Sequence, residues 1–115
     1  MVGPPLALHL PVPELLAAIW AALRESTLAG PTDRAMREVI AATVSSLNLC
    51  PFCVDSHTAA VSVLGADSAA KAIRARATEG IERDDLRAAA DWAAATRSPG
   101  HRRLAAPPFV RDDRA

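Results

Sequence analysis

Proline and glycine cut this chain into segments of helical length. Breakers stand at Pro13, Gly30-Pro31, Pro51, Gly65, Gly80 and Pro99-Gly100. Proline's fixed φ suits the first turn of a helix, and glycine accepts the left-handed conformation that ends one. Between the breakers, apolar residues recur at steps of three and four, and no segment alternates with period two. Pro13 predicts a first helix to about Leu28, ended by Gly30 and Pro31. Thr32 is the expected N-cap of a second, running through about Leu47. Pro51 opens a third over about 51–64, with Gly65 as its stop, and Asp67 a fourth over about 67–79, with Gly80 as its stop. A fifth runs from about Asp84 to Arg97. The fold class is all-α, with residues 1–12 as an extended N-terminal arm, 13–97 as the helical core and 98–115 as an irregular tail.

The apolar content is high but its pieces are small. Half of the 115 residues are apolar, only 3% are aromatic, and alanine supplies much of the total. Each alanine buries little area, so the core should be thin and completed by association of subunits. Leu15–Leu23 is apolar almost all round, which predicts burial on more than one face. Met36, Val39, Ile40, Thr43, Val44 and Leu47 form the apolar stripe of the second helix. Trp20 and Trp92 read as packing residues. The 13 basic and 13 acidic residues cancel, which argues against nucleic acid or an anionic membrane as partner. The pairs Arg74/Arg76 and Arg102/Arg103 read as solvated. With no secretory pattern and no run of membrane-spanning length, a cytoplasmic location is expected. Thiols are kept mostly reduced there, so a C-x-x-C pair reads as catalytic or metal-binding.

The pair is Cys50-Pro51-Phe52-Cys53. With Pro51 at N1, Cys50 falls at the N-cap and Cys53 at N3, where free amides and the positive end of the helix dipole favour a sulfur anion. Such sites can lower a cysteine pKa from about 8.5 by one or more units. His57 follows Cys53 by four residues, on the same helical face, and can take or relay a proton. Glu38 stands at the edge of a stretch, Val39 to Val54, that has no charged residue. A carboxylate in such a place is held neutral or paired with a cation.

Taken together, Glu38, Cys50-Pro51-Phe52-Cys53, Val54-Asp55-Ser56 and His57 resemble the core motif of the alkylhydroperoxidase (AhpD-like) and carboxymuconolactone decarboxylase superfamily. Asn48 before the cysteines, Thr58-Ala59-Ala60 after the histidine and the Gly65 stop extend the likeness over about residues 13–97. The resemblance implies an AhpD-like helical domain that assembles into homo-oligomers. It implies a thiol-dependent peroxidase or disulfide reductase in which Cys53 attacks peroxide and Cys50 donates a proton and then resolves. Glu38 and His57 would form the proton relay. The partner it implies is a reducing dithiol, a lipoyl-bearing protein or a peroxiredoxin, with no cofactor and no metal. Some family peroxidases carry a histidine between the cysteines, where this chain has Phe52. Many members also continue beyond the fifth helix, so the chain could be a minimal member or a fragment.

Other readings stay open. A glutaredoxin-like fold would need a strand leading into the cysteines, and the preceding segment is helical. A zinc module could draw on Cys50, Cys53 and His57 but lacks a well-spaced fourth ligand, since His9 and His101 lie in the arm and the tail. A decarboxylase of the carboxymuconolactone type would not need two redox cysteines. A non-catalytic helical assembly module would need neither.

Overall fold

Asp33 begins the helix on which the rest is built. Its carboxylate accepts the Met36 amide at 3.1 Å and caps α3 (Arg34–Leu47), one residue later than a Thr32 cap would. A charged cap also suits the positive end of the helix. The computed structural model describes residues 4–97, so the expected tail lies outside the described residues. Those residues form helices α1 (Pro4–Ala7), α2 (Pro13–Leu23), α3, α4 (Pro51–Val63), α5 (Asp67–Ala75) and α6 (Asp84–Ala95), with no strand among them. The all-α expectation holds. The helical turn at Pro4–Ala7 differs from the extended arm expected there. The chain divides into two compact units, one ending at Gly30 and the other beginning at Pro31.

In the first unit α2 continues into a π-helical turn, Arg24–Leu28, closed by the Ala29 amide on the Arg24 carbonyl at 2.7 Å. The cause is local. The Ser26 and Thr27 hydroxyls both donate to the Leu23 carbonyl, at 3.3 and 2.7 Å, and compete with the backbone ladder for that acceptor. No residue of α2 is buried, and Trp20 is 50% exposed. This corrects the burial expected of an apolar helix. Apolarity all round states what a helix would gain from cover, not that its own unit supplies it.

In the second unit α4, α5 and α6 all pack on α3. Among the described residues, nine of the fifteen buried apolar ones are alanine, and the largest fully buried side chains are aliphatic, among them Val39, Val61, Ile73, Ile81 and Leu86. Small side chains let three helices approach one. The buried face of α3 is therefore wider than the expected stripe. Ala35, Glu38, Ala42 and Ser46 join Met36, Val39 and Thr43, while Ile40, Val44 and Leu47 are only partly covered.

Three helices end with the same device. After α3 the Leu49 amide donates to Ser46 at 3.2 Å and the Cys50 amide to Ser45 at 3.1 Å, around Leu49 at φ 57°. After α4, Gly65 donates to Ser62 and Ala66 to Val61, at 2.9 and 3.1 Å, around Gly65 at φ 81°. After α5, Arg76 donates to Ile73 and Ala77 to Ala72, at 3.1 and 2.9 Å, around Arg76 at φ 56°. Each is a Schellman stop with one left-handed residue. Only Gly65 announces its stop in the sequence. The fourth helix accordingly ends at Ala75 rather than near 79, and Thr78–Gly80 is a separate 3-10 turn. At the start of α6, a hydrogen bond from Arg83 to Asp85 at 2.7 Å holds the Asp85 carboxyl below its usual range. The stabilisation from that pairing is present at neutral pH and is lost as pH falls through the depressed value.

A left-handed leucine is strained by about 1–2 kcal/mol. Leu49 is 65% exposed, so its side chain gives little packing in return. Leu49→Gly should raise unfolding free energy by about 0.5–1 kcal/mol, and Leu49→Val should lower it, since a β-branched residue tolerates positive φ least. Denaturant midpoints measure both. A glycine variant no more stable than the parent would show that the turn carries no such strain.

Candidate active site

The turn after α3 delivers the chain directly into the cysteine helix. Cys50 donates its amide back to Ser45 and then serves as N-cap of α4 with φ −99° and ψ 93°. Pro51 occupies N1, where no amide is needed, and its ring fixes the first turn. Phe52 and Cys53 follow at N2 and N3. No side chain, that of Cys50 included, caps this helix start, so its first-turn amides have no side-chain acceptor on the N-cap residue. Cys50 and Cys53 are joined as a disulfide, with their Cα atoms 5.4 Å apart. Both are partly accessible.

One turn further along α4, His57 meets α3. Its Nδ1 lies 2.7 Å from Glu38 Oε2. The Glu38 side chain is only 4% exposed and the imidazole 27%. With a carboxylate as acceptor, Nδ1 is the donor, which leaves Nε2 as the ring nitrogen able to take a proton. On the other carboxylate oxygen, Oε1, Arg34 Nε stands at 3.9 Å from the preceding turn of α3. Burying a carboxylate costs several kcal/mol unless partners replace its water. Here an imidazole and a guanidinium do so. Glu38 thus lies in the buried face of α3, beside residues small enough to let α4 come close.

The residues singled out from the sequence, Glu38, Cys50, Cys53 and His57, are brought together in two bonded pairs on α3, the turn after it and the first two turns of α4. Arg34 was not singled out, although its position four residues before Glu38 is the usual signal for a helical ion pair. Arg74 is half-exposed, as expected of a solvated arginine. Its Nε also donates to Thr58 Oγ1 at 2.8 Å, and that hydroxyl, fully buried, donates to the Val54 carbonyl at 2.6 Å. Arg74 also lies 4.0 Å from Asp55, so it ties α5 to α4.

A cleft of about 430 Å³ adjoins the disulfide and is lined by Leu49, Cys50, Pro51, Val54, Arg74 and Arg76, with Ser46 and Asp55. Among the described residues, no three His, Cys, Asp or Glu side chains are grouped to hold a metal ion, and no helix is long and apolar enough to cross a membrane. His101 falls outside the described residues.

The chain matches the model of the carboxymuconolactone decarboxylase family over residues 13–106. It is 40% identical over 95 residues to a Mycobacterium tuberculosis protein named alkyl hydroperoxide reductase, an alignment that covers 83% of this chain. The chain spans 27% of that relative's length. No solved structure matches it. The helices, the cysteine motif and the family match agree: this chain belongs to the carboxymuconolactone decarboxylase family, in its alkylhydroperoxidase-like superfamily.

Proposed function

We propose that this chain is a thiol-dependent peroxidase in which Cys53 attacks and Cys50 resolves. The observation that carries the reading is the Cys50–Cys53 disulfide at the start of α4, with the His57–Glu38 pair one turn away. The name of the mycobacterial relative supports it. The Cys53 thiolate attacks the terminal oxygen of a hydroperoxide and the O–O bond breaks. Cys50, coupled to His57 and Glu38, supplies the proton to the departing alkoxide. Cys53 is then a sulfenic acid. Cys50 displaces its oxygen as water and the disulfide forms. Exchange with an external dithiol, or with a lipoyl-bearing protein or a peroxiredoxin, returns both thiols. Disulfide reduction runs through the same exchange step, so the same site would serve a disulfide reductase. We place this chemistry in the cytoplasm and expect copies of the chain to assemble. The exposed Leu15, Trp20 and Leu23 of α2 support assembly, because isolated apolar helices of this kind gain from cover.

The family name supports a second reading, a decarboxylase of the carboxymuconolactone type. That activity would persist with both cysteines replaced, whereas peroxide reduction would not.

After treatment with one equivalent of peroxide, mass spectrometry should find two hydrogens lost and the two sulfurs bridged. Cys53→Ser should cut peroxide turnover by roughly a thousandfold or more. Turnover near the parent's would remove Cys53 as attacker. Cys50→Ala should instead accumulate the Cys53 sulfenic acid, which a dimedone-type reagent traps.

Glu38→Gln keeps the size and a hydrogen-bonding oxygen but removes the charge. It should lower turnover roughly tenfold or more while lowering the unfolding free energy by no more than about 1–2 kcal/mol. A large loss of stability with turnover retained would make Glu38 structural. A double-mutant cycle on stability between Glu38→Gln and His57→Asn should give a coupling of about 1–2 kcal/mol, and additive effects would mean the contact does no work.

A further inference from the structure

We propose that the cleft beside Cys50 admits a further reductant, a low-molecular-weight thiol carrying a carboxylate. The proposal rests on the redox reading above and adds a monothiol to the reductants named there for the same disulfide. Of the two bonded sulfurs' residues, Cys50 lines the cleft and Cys53 does not. A thiol arriving there meets the resolving sulfur first. The volume of about 430 Å³ lies in the range of small-ligand sites, and Leu49, Pro51 and Val54 offer an apolar wall to a short carbon chain.

The charges of the lining are unequal in kind. Arg74 is spent on Thr58 and lies near the cleft's one carboxylate, Asp55. Arg76 lines the same cleft and has no ion-pair partner among the described residues. The lining therefore carries one uncompensated positive charge, and it sits on Arg76. Leu49 and Arg76 are also the two non-glycine residues with positive φ among the described residues. Both border this cleft, and strained backbone of that kind gathers where a site is shaped.

The chemistry balances without a further reagent. A thiolate RS⁻ attacks Cys50 Sγ, the Cys50–Cys53 bond breaks, and its electron pair leaves on Cys53 Sγ. The amino end of α4 favours that leaving anion. A second RS⁻ attacks the reductant's own sulfur in the mixed disulfide, so that RSSR departs and Cys50 is a thiolate. The two protons released by the two RSH molecules restore both cysteines. The disulfide is reduced by two electrons and two RSH are oxidised to RSSR.

The test uses the full chain oxidised with diamide, so it does not depend on peroxide turnover. Disulfide reduction by 3-mercaptopropionate, 3-mercaptopropionamide and cysteamine is followed by maleimide trapping, with rates divided by thiolate concentration and corrected for thiol basicity. The expected order is carboxylate, amide, amine, with roughly three- to tenfold between first and last at low salt. High salt should compress it. Arg76→Gln should flatten the order and Arg76→Glu should reverse it. Should Arg76→Glu unfold, the glutamine variant and the salt series on the parent decide the matter. Equal rates in the parent, or an order that survives at Arg76→Glu, would overturn the proposal alone. A disulfide that diamide does not close would overturn the redox reading with it.

Discussion

Burial of the Glu38 carboxylate constrains everything around it. A charge-bearing group 3% exposed inside an alanine-rich helix bundle must find its partners within the fold. It finds Arg34 on its own helix and His57 on the next. The second contact sets the register of α3 against α4. A slip of one residue along α4 would swing the imidazole by about 100° and leave the carboxylate facing apolar neighbours. The register in turn decides which turn of α4 lies against α3, and hence how close the cysteines stand to the Glu38–His57 pair. Fold and chemistry are not separable here, because the polar contact that positions the imidazole is also one that makes a buried Glu38 tolerable.

The turn between the two helices works with that contact. A Schellman stop reverses the chain within two residues and returns the amides of Leu49 and Cys50 to α3. Cys50 can then be the end of one motif and the cap of the next. A longer loop would let α4 start elsewhere. Leucine at the left-handed position is an odd choice for stability alone. It keeps an apolar side chain on the rim of the cleft, where glycine would leave none.

Most of the helices could be read from punctuation because proline and glycine carry their conformational limits with them. Pro13, Pro51 and Gly65 mark their boundaries well. One misplaced boundary, the end of α5, is where Arg76 adopts a conformation that arginine does not advertise. Gly80 misled for the complementary reason: its glycine is not required by a left-handed turn, and a Cβ there would meet Ala72 at an ordinary 3.6 Å. The cysteines and His57 were legible as a group because all lie on one helix, where spacing fixes direction. The Glu38–His57 contact was not. Period assigns a residue to a face but cannot say which faces of two helices meet, and the expected stripe left out Glu38 and Ala42 because alanine counts for little in a hydrophobic pattern. In the structure that same smallness lets α3 bury a wider face.

Arg74 shows what an exposed arginine can still do in such a core. Two arginines near the end of a short helix ordinarily point to water, and both Arg74 and Arg76 lie exposed. From there the Arg74 guanidinium still reaches the buried Thr58 hydroxyl. That hydroxyl is already committed to the Val54 carbonyl, so it accepts from Arg74 while it donates to the helix. The effect is to hold α5 against the second turn of α4 with a polar strut instead of large apolar side chains. A bundle built from small residues gains little area per contact, so its specificity has to come from directional bonds. Glu38–His57 and Thr58–Arg74 are those bonds, one toward α3 and one toward α5. The cysteine helix is held from both sides by interactions that no increase in core volume could replace.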